Sequence, residues 1–299
     1  MKKTAPVLKF PKHAFSFIEK NTILYKVIPI TSNFITIIRF KLHIPLLILA
    51  LLLASFKPTG LKIYKIDKVV IDAGHGGKDP GTQGNISDEK DVALKIAMDL
   101  GRIINENLKD VKVIYTRNSD KFIELENRAS IANKNDADLF ISIHCNSVPA
   151  NKINTYGTET YVMGTNHSEG NFEIAKRENS VILLEDNYKE RYEGFDPNSP
   201  ESLILFSLYQ KAYMDNSIDF ASRVESQFRK RVGRNSRGVK QAGLWVLWRT
   251  AMPSVLIEVG FLSNPKEERY LNDDLGQVYL SSAIYRAFKD YKDELESEQ

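Results

Sequence analysis

Short apolar segments alternate with stretches of helical periodicity along most of this chain, and that alternation limits the fold more than any other feature. Lys68–Asp72 (KVVID), Val111–Tyr115 (VKVIY), Leu139–His144 (LFISIH), Gly157–Met163 (GTETYVM), Leu244–Leu247 and Ser254–Val259 (SVLIEV) read as strands, with Gly157–Met163 half-exposed. After the first of them, Val92, Leu94, Ile96, Ala97, Leu100, Ile103, Ile104 and Leu108 recur at the spacing of one helix face, and Ser87 is placed to cap that helix. Residues 125–135 and 277–291 read as further helices, and 293–299 as a charged tail. Strands alternating with helices predict an α/β fold: a mixed, largely parallel sheet flanked by helices.

Residues 165–243 break the rhythm. They read as a helix over 171–187, a turn over 194–200 and a longer helix over 201–231, with no convincing strand. A helical insertion of that length, ahead of the last strands, exceeds what a crossover needs, and long insertions usually carry a function.

Charge is unevenly spread. Residues 1–57 carry nine Lys or Arg and one acid, Glu19, for a balance of +8, while 58–299 carry −5. The acidic remainder gives no electrostatic argument for nucleic acid. Residues 42–56 (LHIPLLILALLLASF) contain no charge and follow Arg39 and Lys41. Such a run is shorter than the roughly 20 residues of a full span. Residues 1–59 therefore read as a basic N-terminal segment bearing a signal peptide or a membrane anchor. Either reading puts 60–299 outside the cytoplasm, in the periplasm or cell envelope, with membrane contact only through that segment. The single Cys excludes a disulfide framework and a zinc site built mainly from thiolates.

Four polar residues stand where an open α/β sheet gathers its site. His75 follows the first strand in IDAGHGGKDPG, Glu89 opens the next helix, His144 ends a central strand in ISIHCNS, and Glu258 ends PSVLIEV. Strand ends of this kind converge on one crevice, and a charge buried there needs a partner. Two imidazoles and a carboxylate are a standard three-ligand set for a catalytic zinc. A second carboxylate then carries the proton from water to the leaving amine, a role that suits Glu258. Gly74, Gly76 and Gly77 let the backbone bend around His75. The spacing of these residues is not a general zinc signature, and each has an ordinary structural alternative. Cys145 follows His144 directly, so it points to the opposite face and packs behind the site. GHGGKDPG lacks the order of a phosphate loop.

Taken in order, IDAGHGGKDPG, the helix start at Glu89, YTR at 115–117, Arg128 in ENRASIAN, ISIHCNS, GTETYV and PSVLIEVGFLSNPKEERYL resemble the zinc-dependent N-acetylmuramoyl-L-alanine amidases of bacterial cell-wall remodelling. The resemblance covers about 68–290. It implies that residues 60–292 form an amidase catalytic domain, that His75, Glu89 and His144 bind zinc, and that Glu258 is catalytic. It also implies the substrate: the peptidoglycan amide between the lactyl group of N-acetylmuramic acid and L-alanine of the stem peptide. A zinc peptidase acting on stem peptides and a non-enzymatic wall-binding or divisome scaffold stand as alternatives. The fragments AKRENS and SLYQKAYMDNS within 165–243 are similar to the regulatory segment of division-associated members, in which a helix covers the zinc cleft until an activator protein displaces it. That implies autoinhibition here. Glu173, Glu178 and Glu185 lie on the first helix expected in the insertion, Glu178 and Glu185 on one face, and Glu178 or Glu185 is the expected plug of the zinc site. Leu203, Leu205, Phe206, Leu208, Tyr209 and Tyr213 form the expected surface for the activator. Arg117 and Arg128 are expected to hold acidic or carbonyl partners near the sheet.

Overall fold

The structure, a computed structural model, describes residues 65–164, 168–192, 195–196, 198–199, 201–202 and 213–297. The N-terminal segment, and Leu203, Leu205, Phe206, Leu208 and Tyr209 of the expected activator surface, lie outside them. Among the described residues no helix is long and apolar enough to cross a membrane.

Six strands form one sheet in the order β2-β1-β3-β6-β4-β5. They are β1 (Lys68–Ala73), β2 (Lys112–Tyr115), β3 (Leu139–Asn146), β4 (Thr158–Met163), β5 (Ser236–Ala242) and β6 (Ser254–Phe261). Strands β2, β1, β3 and β6 are parallel, β4 runs antiparallel to β6, and β5 is parallel to β4. The longer helices are α1 (Glu89–Asn107), α2 (Leu125–Lys134), α3 (Glu169–Asn179), α4 (Met214–Gln227), α5 (Pro265–Leu271) and α6 (Asp274–Ser297). The mixed, mostly parallel sheet flanked by helices is the expected architecture.

Strand alternation sorts the side chains onto two faces. On one face Val69, Ile71, Ile141, Ile143, Cys145, Val255, Ile257 and Val259 pack under α1, α4 and α6 in an apolar core. On the other, Val70, Phe140, Leu256 and Tyr161 pack under α2, α3 and the turn Trp245–Trp248. That second face changes character along the strands: Val70 gives way to Asp72, Phe140 to Ser142, His144 and Asn146, and Leu256 to Glu258. Register then aligns the polar ends, with Asp72 opposite Ser142 and His144 opposite Glu258.

The insertion departs from expectation in several places. It contains a strand, β5, whose charged sequence SRGVKQA gives little apolar signal because it pairs on one side only, at the edge of the sheet. Leu244–Leu247 is not a strand; Trp245–Trp248 is one helical turn. The helix expected over 171–187 is α3, which ends at Asn179 and gives way to a 3-10 turn, Ser180–Leu184. Asn179 explains both changes. Its Nδ2 donates to the Gly243 carbonyl and its Oδ1 accepts from the Trp245 N–H, tying the end of α3 to the start of the turn. Of the helix expected over 201–231, the described part is α4 and a π turn, Phe228–Val232.

Three smaller corrections follow from packing. Strand β4 is buried throughout rather than half-exposed, because it lies between β5 and β6 and Thr158 and Thr160 donate to Glu225 of α4. The last helix runs to Ser297, so 293–297 continue it rather than form a tail. Ser87 does not cap α1. The N-cap is Asp88, without a side-chain cap bond, and the carbonyls of Thr82 and Pro80 accept from the N–H groups of Glu89 and Lys90.

Replacing Asn179 by Ala removes both of these hydrogen bonds. Unfolding free energy should fall by about 2–3 kcal/mol, read by urea denaturation.

Candidate metal centre and active site

The loop after β1 is held from below by two buried arginines. Arg128 of α2 donates from Nη1 to Asp72 (2.8 Å) and the Ala73 carbonyl, from Nη2 to the His75 carbonyl (2.7 Å), and from Nε to the Ile123 carbonyl. Arg117 donates to the carbonyls of Ala73, Gly74 and Lys90. Asp72 also accepts from the hydroxyls of Thr116 and Ser142. Burial alone would raise the Asp72 carboxyl, but Arg128 and these hydroxyls hold it below its usual value. The two arginines thus have the partners expected of them, acidic and carbonyl for Arg128 and carbonyl for Arg117.

This support fixes an unusual backbone. His75 is left-handed, with φ 59°. That conformation is unfavourable for a side chain with a Cβ and persists only when its surroundings impose it. Gly74 has a separate reason to be glycine: a Cβ there would come within 2.5 Å of the His144 ring.

Four side chains meet above the loop. His75, Glu89, His144 and Glu178 each offer a donor atom, all within 4.8 Å of one another and all buried. His75 Nε2 lies 3.2 Å from Glu89 Oε1 and 3.5 Å from Glu178 Oε2; His144 Nδ1 lies 3.1 and 3.0 Å from the same two oxygens. Donors bound tetrahedrally at the usual metal–nitrogen and metal–oxygen lengths stand about 3.3 Å apart. Two of the atoms, His75 Nε2 and Glu178 Oε2, are buried without a hydrogen-bond partner. The donor set and these orphaned atoms fit a metal ion. The outer contacts fix the orientations as metal sites require. His75 Nδ1 is 2.7 Å from Asp79 Oδ2, which leaves Nε2 facing the cluster. Glu89 accepts from the N–H groups of Cys145 and Thr82.

Glu258 stands beside this cluster, wholly buried, with Oε2 unpartnered. Burial pushes its carboxyl well above the usual range against the opposing guanidinium of Arg177, and Glu178 and Glu89 push it further. Arg177 of α3 donates to Glu178 (2.8 Å), Asn146 Oδ1 (3.2 Å), the Ser147 carbonyl (3.2 Å) and Glu258 Oε1 (3.1 Å). Asn146 in turn donates to Glu159, which also accepts from Tyr161, Arg237 and Lys240. A bulge brings the last two together. Thr158 pairs with Ser236 and Thr160 with Val239, and Gly238, at φ 87°, takes up the extra residue.

The structure therefore gathers His75, Glu89, His144 and Glu258, and adds Glu178. It does not bring Glu185 there. That carboxylate accepts from the Leu125 N–H and the Tyr192 hydroxyl, at the start of α2, because α3 ends before reaching it. Glu173 faces solvent, and Tyr213 lies part-exposed ahead of α4. Cys145 packs in the opposite core, where burial pushes its thiol well up. Asp79, Asn146, Glu159 and Arg177 were not singled out from sequence. Asn146 has a visible signal: it shares the strand face of His144, two residues on.

Arg128→Lys cannot span the four acceptors that Arg128 serves. It should cost about 2–4 kcal/mol of stability and lower the melting temperature.

The family model for N-acetylmuramoyl-L-alanine amidase matches residues 69–290. N-acetylmuramoyl-L-alanine amidase AmiA of Escherichia coli (strain K12) is 32% identical over 232 residues, which cover 76% of this chain and 77% of that protein. Among solved structures, an N-acetylmuramoyl-L-alanine amidase from Clostridium difficile 630 superposes with a TM-score of 0.57 at 28% identity, covering 77% of this chain and 98% of that one. The CwlD amidase from Clostridioides difficile, solved in complex with the GerS lipoprotein, superposes with a TM-score of 0.55 at 25% identity, covering 75% and 98%. The chain belongs to the N-acetylmuramoyl-L-alanine amidase family and is a peptidoglycan amidase.

Proposed function

We propose that this amidase works with zinc held by His75, Glu89 and His144, that Glu258 is its proton carrier, and that α3 keeps it silent until an activator protein moves the helix. The observation that carries this reading is the pairing on α3 of two consecutive residues: Glu178 lies among the metal donors while Arg177 covers Glu258. When bound, zinc supplies a Lewis acid that polarises the scissile carbonyl and makes water more acidic. His75 and His144 present one ring nitrogen each, with Asp79 setting the tautomer of His75. Glu258, as the carboxylate, takes a proton from the attacking water and delivers it to the leaving nitrogen, and its burial, which raises its proton affinity, favours the uptake.

A wall hydrolase held inactive at rest suits the separation of daughter cells, where cleavage must be local. The basic, apolar segment at 1–59 supports export to the periplasm or cell envelope, where the substrate lies, with 60–292 as the catalytic domain. That the related CwlD amidase was solved with a lipoprotein supports a protein partner here.

Digestion of purified peptidoglycan, with and without chelator and read by mass spectrometry, tests the reaction. Intact stem peptides should be freed, and only without chelator; shortened stem peptides would point to a peptidase instead. His75→Ala should lose the metal. Glu258→Gln should keep it and lose activity about a hundred-fold or more. Full activity in that variant would end the assignment.

Deleting about 168–200 is a poor test of autoinhibition, because Ile174, Ala175, Val181 and Ile182 are core residues. Glu178→Ala is better. It should keep the metal and raise basal turnover about ten-fold, the factor that a contact of about 1.4 kcal/mol holds back. Loss of both metal and turnover would mark Glu178 as a permanent ligand.

A further inference from the structure

Arg177 occupies a pocket that the sheet builds. Three of its acceptors belong to strand ends rather than to α3: Glu258 Oε1 on β6, Asn146 Oδ1 at the end of β3, and the carbonyl of Ser147 just beyond. Asn146 and Glu258 are 1% and 0% exposed, so these acceptors lie within the fold rather than at its rim.

The orientation of the Asn146 amide is determined. Glu159 can only accept when ionised, and Arg237, Lys240 and the Tyr161 hydroxyl all donate to it. Asn146 therefore turns its Nδ2 to Glu159 at 2.9 Å. Its Oδ1 is left facing Arg177, and it also accepts from the Ser147 N–H at 2.7 Å. The pocket so formed presents three acceptors, and a cation held there, as Arg177 is, favours the ionised form of Glu258. It is made for a cation, or for a nitrogen that becomes one.

Amide hydrolysis produces such a nitrogen. Water oxygen bonds to the carbonyl carbon and the C–N bond breaks. One proton from water passes through Glu258 to the nitrogen, giving an amine. The new carboxylic acid releases a second proton, which the amine takes up. An α-amino group stays largely protonated up to a pH of about 7.7–8. The product thus has three N–H donors beside the residue that supplied the first proton.

We propose that Glu258 Oε1, Asn146 Oδ1 and the Ser147 carbonyl form the subsite for the amino terminus released on the peptide side of the cleaved bond, that Arg177 fills it while α3 is closed, and that Glu159 is the positioning residue that turns Asn146 toward it. This rests on the reading above, in which Glu258 moves the proton and α3 closes the site.

The test is calorimetry on the metal-loaded, full-length Arg177→Ala protein. The probes are the dipeptide L-Ala-D-Glu and its N-acetyl derivative, which differ only at the amine. The free amine should bind at least ten-fold more tightly than the acetylated form, and at least ten-fold more tightly to Arg177→Ala than to the parent protein. Adding Asn146→Ala, or Glu159→Gln alone, should reduce the preference to three-fold or less. Adding Asn146→Asp together with Glu159→Gln should restore it, because the side-chain amide introduced by Glu159→Gln can then donate and leave an acceptor facing the pocket. A merely structural role for Glu159 predicts no such restoration. Equal binding of the two dipeptides, or a preference unmoved by Asn146→Ala, overturns the proposal. If Arg177→Ala does not fold, Arg177→Met keeps the packing of the aliphatic stem and serves in its place. Calorimetry reads binding without turnover, so its outcome is separate from the peptidoglycan digest that tests the reaction.

Discussion

The salt bridge between Arg128 and Asp72 is the interaction on which the site's geometry depends. Both groups are buried, and a buried pair of charges is tolerated only when its remaining hydrogen-bonding capacity is filled. Thr116, Ser142 and three backbone carbonyls fill it. Two of those carbonyls belong to Ala73 and His75, so the groups that satisfy the pair are the backbone of the loop that presents the metal-facing imidazole. The left-handed conformation of His75 is thereby tied to the electrostatics of the sheet's interior.

The closed site concentrates charge in a small volume. Glu89, Glu178 and Glu258 lie near two imidazoles and one guanidinium, and of these side chains Arg177 reaches water while the carboxylates and imidazoles are buried. Burial raises the cost of every carboxylate, and Arg177 and the histidines offset it. Because Arg177 and Glu178 are consecutive, α3 brings its compensating charge and its competing carboxylate together.

Much of this was legible in sequence, and the reasons differ by element. Strands β1, β3 and β6 are central and buried, so their apolar runs stood out, and the polar residues at their ends marked His75, His144 and Glu258. Glu89 was visible because it opens a strongly periodic helix. Strand β5 was missed because an edge strand of SRGVKQA takes its identity from pairing with β4, which no local pattern reveals. The stop at Asn179 was missed because it depends on Gly243 and Trp245, more than sixty residues away. That error alone placed Glu178 and Glu185 on one face. Glu159 and Arg177 carry no local sequence signal, since only tertiary contact gives them a pocket.

The polar half of the second face depends on strict alternation along β3, where Ser142, His144 and Asn146 face one way and Ile143 and Cys145 the other. Substitutions at these positions act one side chain at a time. A single-residue insertion or deletion between Leu139 and Ile143 would instead exchange the faces, turning an imidazole into the core and a thiol toward the metal donors. The central strand is therefore far less tolerant of a change in length than of a change in composition, and the spacing from Leu139 to Asn146 is as much a part of the site as the residues themselves.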